Sequence, residues 1–79
     1  MWYVYFLELS NGDIYVGSTD DLKRRFDAHR RGDVASTRPY RPMVLWAYVA
    51  VESERQAREL ERYLKTGSGK AVAMTRFLS

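Results

Sequence analysis

Trp2–Leu9 and Asp13–Gly17 read as two strands, with apolar residues alternating with tyrosines from Trp2 to Phe6 and with polar residues or tyrosine from Asp13 to Val16, and Ser10, Asn11 and Gly12 lie between the two runs. Alternation at a period of two marks a strand with unlike faces, and an Asn-Gly pair in the gap predicts a hairpin. Two registers compete. A two-residue loop pairs Ser10 with Asp13 and sends Tyr5 and Tyr15 to opposite faces, whereas a three-residue loop with Gly12 left-handed puts them together. Only the second collects Trp2, Val4, Phe6, Ile14 and Val16 on one side and Tyr3, Tyr5, Leu7 and Tyr15 on the other, so the hydrophobic pattern selects it. One face is then expected to pack, and the other to carry a cluster of phenols.

Beyond Gly17 the period changes. Leu22, Arg25, Phe26 and His29 recur at i, i+3, i+4 and i+7, which predicts a helix whose inward stripe includes an arginine and a histidine. Ser18 or Thr19 is expected to start it, with Asp20 and Asp21 in an acidic first turn, and Gly32 to stop it. Residues 32–42 combine Gly, Ser, Thr, Pro and Arg and read as a mobile basic loop. Met43–Val51 is apolar enough to be the central strand of the sheet. Ser53, with Gln56 three residues on, opens a second helix through a capping box. Its inward stripe is Ala57, Leu60, Glu61 and Leu64, Gly67 ends it, and Ser68–Phe77 is expected to form a short last helix. The fold class is α/β in the α+β sense: a small three-stranded antiparallel sheet flanked by helices, in the order β-β-α-β-α-α.

The 79 residues suffice for one domain over 1–79, with a core in which each buried polar group is a sizeable cost. There is no cysteine, which excludes disulfides and thiolate metal sites and suits a reducing compartment. No apolar run has the length of a membrane span, so a soluble, cytoplasmic chain without membrane partners is expected. Thirteen basic residues against 10 acidic ones give a formal charge of +3. The basic residues crowd at Lys23–Arg25, His29–Arg31, Arg38 and Arg41, a distribution that fits a solvated helix face or a polyanion surface.

The inward polar groups change the picture. Strand tyrosines commonly pack their rings and wet their hydroxyls, helix-edge arginines extend along the surface, and a lone histidine is usually structural. Jointly, however, a carboxylate, a guanidinium and an imidazole in so small a core cost several kcal/mol, on the order of the whole stability, unless they line a cleft. Such a set has a chemistry. An acidic oxygen suits Mg²⁺ or Mn²⁺ in preference to zinc. A positioned arginine neutralises charge growing on a phosphoryl group, and tyrosine or histidine moves a proton. Together they fit phosphodiester hydrolysis.

The segments YVY (Tyr3–Tyr5) and YVG (Tyr15–Gly17), DLKRRFDAH (Asp21–His29) and ERYLKTGSGKAV (Glu61–Val72) resemble, in order and spacing, the motifs of the GIY-YIG endonuclease superfamily, in particular its small stand-alone members. The resemblance implies catalytic roles for Tyr5, Tyr15, Arg25, His29 and Glu61. Glu61 would hold one divalent cation, Mg²⁺ or Mn²⁺, Tyr5 would act on the attacking water with Tyr15 in support, Arg25 would stabilise the phosphate and His29 would assist. Gly17 would permit close backbone approach. Nucleic-acid contacts are expected from Lys23, Arg24, Arg30, Arg31, Arg38, Arg41, Lys65 and Lys70. Two departures stand out: Tyr3 replaces the motif's first glycine, and Val34–Arg38 carries Ser36 and Thr37 where many relatives have an extra histidine or tyrosine.

The expected function is a metal-dependent endonuclease on DNA, structure-selective or low in sequence specificity. Branched, nicked and single-stranded DNA, targeting by a partner protein, a role in DNA repair or recombination, and monomer or homodimer all stay open. A non-catalytic nucleic-acid-binding module on the same scaffold is the alternative, and a protein-interaction domain is a third reading.

Overall fold

The hairpin closes through three residues. Leu9 N–H donates to Asp13 O at 2.8 Å and Gly12 N–H to Leu9 O at 2.9 Å. Gly12 has a φ of +88°, the left-handed conformation that glycine adopts without steric cost. The computed structural model describes residues 1–66 and runs β1 (Trp2–Glu8), β2 (Ile14–Thr19), α1 (Leu22–Arg31), a 3₁₀ turn (Arg38–Tyr40), β3 (Val44–Val51) and α2 (Glu54–Leu64). Phe6 lies opposite Val16 and Leu7 opposite Tyr15, the register that the hydrophobic pattern selects. Gly67, Lys70 and the expected last helix over Ser68–Phe77 lie outside the described residues.

The sheet is antiparallel with the order β2-β1-β3, so β1 and not β3 is central. The reason is burial on both faces. Val4, Tyr5, Phe6 and Leu7 are at most 1% exposed, whereas Val44, Tyr48 and Ala50 of β3 are open to solvent. An unbroken apolar run points to a central strand only while no tyrosine disguises the true one, and here Tyr3 and Tyr5 did so.

Both faces of the sheet pack, which corrects the expectation of one packing face and one phenolic face. Val4, Phe6 and Val16 meet Ala57, Leu60 and Leu64 of α2 on one side. On the other, Tyr5, Leu7 and Met43 meet Tyr15, Leu22 and Phe26, the last two from α1. Each fully buried side chain of this size contributes about 1.5–3 kcal/mol.

Local chemistry sets the helix ends. Asp21 is the N-cap of α1, its carboxylate accepting from Arg24 N–H at 3.0 Å. Ser18 and Thr19 stay in β2, because Thr19 pairs with Tyr3 in the ladder and its hydroxyl accepts from Asp21 N–H. The helix therefore starts later than expected, and its first turn contains no acidic residue. Gly32 closes it at a φ of +84°. For α2, Ser53 and Gln56 form the expected capping box.

Residues 32–42 are tied down, not mobile. Thr37 is fully buried, Tyr40 O accepts from Ser10 N–H at 2.9 Å, and Arg38 Nε–H donates to Gly32 O at 2.6 Å. Arg41 donates to Arg38 O and Arg30 O. Two cations thus sit at the carbonyl end of α1, where the helix dipole favours positive charge.

Candidate active site

Gly17 lies directly opposite Tyr5 in the ladder, and the tyrosine ring crosses its backbone. A Cβ at position 17 would stand 2.6 Å from Tyr5 Cζ, so the glycine makes room for a phenol of this chain. The ring is thereby pressed onto the sheet with its hydroxyl directed toward α1.

That hydroxyl is the centre of a buried relay. Tyr5 Oη lies 2.9 Å from His29 Nε2, and His29 Nδ1 lies 2.8 Å from Thr37 Oγ1. Tyr5 Oη already accepts from Arg25, and the Thr37 hydroxyl has Val34 O within 3.4 Å to donate to; both favour the tautomer with the proton on Nδ1, in which Nε2 accepts from Tyr5. Arg25 Nε–H completes the row by donating to Tyr5 Oη at 3.3 Å. His29 and Thr37 have no exposed surface, and no buried side-chain polar atom among the described residues lacks a partner.

The electrostatics follow from this packing. Burial, followed by the charge of Arg25, lowers the His29 pKa to about 4, so the imidazole is neutral and free to accept. Burial raises the Tyr5 pKa more strongly than the hydrogen bond from Arg25 lowers it, so the phenol keeps its proton at neutrality. Arg25 is an exposed residue that lines the neighbouring cleft, and hydrogen bonds to Tyr5 and then Tyr15 hold its guanidinium at the rim of the relay. The Tyr15 ring is 6.3 Å from that of Tyr5 and 5.2 Å from that of His29, between centroids, and screens the pair at the rim.

Glu61 comes from the other face of the sheet. Strand alternation puts Ser18 on the α2 side and Gly17 on the α1 side of β2, which is an edge strand. Ser18 Oγ–H donates to Glu61 Oε1 at 2.6 Å, while Lys65 Nζ–H donates to Oε2 at 2.6 Å and lies 6.0 Å from the centre of the Tyr15 ring. The carboxylate and the phenols therefore meet around the open edge of β2. Partial burial pushes the Glu61 pKa up, but the hydrogen bonds from Lys65 and Ser18 outweigh it and hold the carboxyl below its ordinary value.

No cluster of three or more metal-binding side chains exists among the described residues. A single ionised carboxylate, 21% exposed, fits a hard cation that keeps most of its waters and takes further oxygens from a phosphate, as Mg²⁺ does. It does not fit a zinc site.

The basic residues separate into groups. Arg38 and Arg41 serve the end of α1, and Lys65 serves Glu61. Arg30 pairs with Asp27 at 3.6 Å and lies over the Phe26 ring. Lys23 is exposed, and Arg24 and Arg31 face a cleft beside the relay together with Arg58. Sequence reasoning missed Ser18, Thr37 and Arg58 as site residues. The sequence offers Ser18 as a helix start, and Thr37 stands out in it only as a departure from the histidine or tyrosine of many relatives. Arg58 gave a readable signal, lying one helical turn before Glu61.

The sequence profile of the GIY-YIG catalytic domain matches residues 1–75. The chain belongs to the GIY-YIG family. Within it, the chain is 41% identical to the UPF0213 protein Reut_B5558 of Cupriavidus pinatubonensis over 61 residues, covering 76% of this chain and 68% of that one. It is 39% identical to the UPF0213 protein SAG0778 of Streptococcus agalactiae over 64 residues, 80% of this chain and 73% of the relative. The solution NMR structure of the UPF0213 protein BH0048 from Bacillus halodurans superposes with a TM-score of 0.60 at 33% identity, covering 95% of this chain and 84% of that one. GIY-YIG membership supports an endonuclease-type function and a nucleic-acid substrate. No helix among the described residues is long and apolar enough to cross a membrane.

Proposed function

We propose that this GIY-YIG domain hydrolyses DNA phosphodiester bonds with a divalent cation, Mg²⁺ or Mn²⁺, held by Glu61. The observation that carries this reading is the continuous hydrogen-bonded row Arg25–Tyr5–His29–Thr37 on one face of the sheet, with the ionised Glu61 held by Ser18 on the other side of the same edge strand. One acceptor would satisfy a buried structural phenol, whereas Tyr5 also receives the Nε–H of a charged guanidinium.

The roles follow from the directions. An attacking water gives its proton to Tyr5 Oη as Tyr5 passes its own to His29 Nε2, so a phenol too weakly acidic to ionise unaided still acts as the base. Thr37 keeps the other ring nitrogen protonated, which leaves Nε2 open at every turnover. The weak basicity of His29 makes the transfer transient: His29 returns its proton to Tyr5, Tyr5 releases the water-derived proton to solvent, and the departing oxygen takes a proton from a solvent water. The terminal N–H groups of Arg25 bind the phosphate and stabilise its growing charge. A cation at Glu61, when bound, supplies Lewis-acid stabilisation to the phosphoryl oxygens.

The test is incubation with branched, nicked and single-stranded DNA in Mg²⁺ or Mn²⁺, beside Glu61→Gln and Arg25→Ala. Metal-dependent cleavage by the parent protein, lost in both variants, is expected. Cleavage that does not exceed those controls on any substrate rejects the reading. The ammonium of Lys65 on Glu61 favours a second reading, a binding module without turnover, which predicts salt-dependent DNA binding unaffected by Glu61→Gln.

A further inference from the structure

A cleft of about 410 Å³ opens beside the relay, and neither Tyr5, His29 nor Glu61 lines it. Arg24 and Arg31 project into it from one face of α1, Arg58 from α2, and Trp2 from the start of β1, while Ser18 and Arg25 form its border with the relay. Those two residues also hold Glu61 and Tyr5, so the cleft continues directly from the place where a phosphate would sit.

Its chemistry is that of a nucleotide site. Four guanidinium groups line it, and Asp20 is the single lining carboxylate. Three of the four have outside partners: Arg24 with Asp21 at 4.0 Å, Arg31 with Asp33 at 3.0 Å and Arg58 with Glu54 at 2.7 Å. All three pairs are exposed, and such pairs contribute little and leave most of the five N–H groups of each guanidinium free. Trp2 packs against the α2-side core, and its partly exposed ring forms the apolar part of the cleft. An aromatic plane among cations is the arrangement that stacks an unpaired base and tracks its backbone. The volume suits one nucleotide and is too small for a duplex.

We propose that this cleft takes an unpaired nucleotide flanking the scissile phosphate, its base stacked on Trp2 and its phosphates on Arg31 and Arg58, so that the substrate is single-stranded or locally opened nucleic acid. This rests on the nuclease reading for the position of the scissile phosphate, but binding alone tests it. Fluorescence anisotropy with a labelled oligothymidine in EDTA should show tighter binding than a duplex of equal length. Trp2→Ala should weaken single-strand binding between about five- and a hundred-fold, with Trp2→Phe retaining most of it. Arg58→Ala should lower the slope of log K against log salt by roughly 0.7, while the exposed Arg55→Ala, outside the cleft, leaves it unchanged. In a Trp46→Phe background the oligonucleotide should quench Trp2 emission, with circular dichroism checking the fold of each variant.

Equal affinity for duplex, unquenched Trp2 emission, or Arg58→Ala behaving like Arg55→Ala would overturn the proposal. Binding that follows these expectations without any cleavage removes the nuclease reading and keeps the cleft. Cleavage indifferent to Trp2 and Arg58 does the reverse.

Discussion

His29 Nδ1 and Thr37 Oγ1 stand 2.8 Å apart with no exposed surface on either residue, and His29 is the sole histidine of the chain. Nitrogen-15 NMR of histidine-labelled protein therefore reads one imidazole, which is expected as the Nδ1–H tautomer. In Thr37→Val the Nδ1 proton loses its acceptor. The signal should move toward the Nε2–H form, stability should fall by about 1–3 kcal/mol, and cleavage should slow on the order of tenfold or more. Thr37→Ser should restore all three. An unchanged tautomer in Thr37→Val would remove the positioning role.

Acid should destabilise the fold before the carboxylates respond. The unfolded chain protonates His29 near 6.5, whereas the folded chain resists protonation down to about 4, so the unfolded state binds more protons between these values. Stability should be fully present above pH 6.5 and fall as pH drops toward 4, by about 3 kcal/mol from this group alone. Urea titrations at pH 7 and pH 5 measure it, and His29→Gln should lose the slope over that interval.

Gly17→Ala should be a packing mutation with a functional consequence. Tyr5 is held by Arg25 and His29 and does not swing away from a new Cβ without breaking the relay. A loss of about 1–3 kcal/mol is expected in thermal or urea unfolding, with cleavage falling further than the residual folded fraction explains. Wild-type stability would show that the ring relocates freely.

Metal binding should depend on Glu61 and be opposed by Lys65. Glu61→Gln should abolish Mn²⁺ binding in isothermal titration calorimetry, and Lys65→Met, which frees Oε2, should tighten it. The Glu61 pKa lies below its ordinary 4.5, so the carboxylate is ionised and Mn²⁺ binding should persist at pH 5. Weaker binding by Lys65→Met would make the lysine a partner of the cation and not its competitor.

Several features were legible in the chain because they depend on neighbours in sequence. The hairpin register follows from alternation and Gly12, the capping box from Ser53 and Gln56, and the stop of α1 from Gly32. The inward positions of His29 and Glu61 follow from helical period. The beginning of α1 was misplaced because Thr19 satisfies both a strand ladder and a turn, a choice made by Tyr3 across the sheet.

By itself the sequence determined the elements, their polarity patterns and the set of side chains that carry chemistry, since these depend on local spacing and residue type. Only the tertiary structure decided that β1 is central, that Tyr5 and Glu61 approach from opposite faces around the edge of β2, and that Thr37 orients His29. These are relations between residues distant along the chain. They depend on which strand is enclosed on both sides and on how a loop returns over a helix, and no periodicity within one segment encodes that.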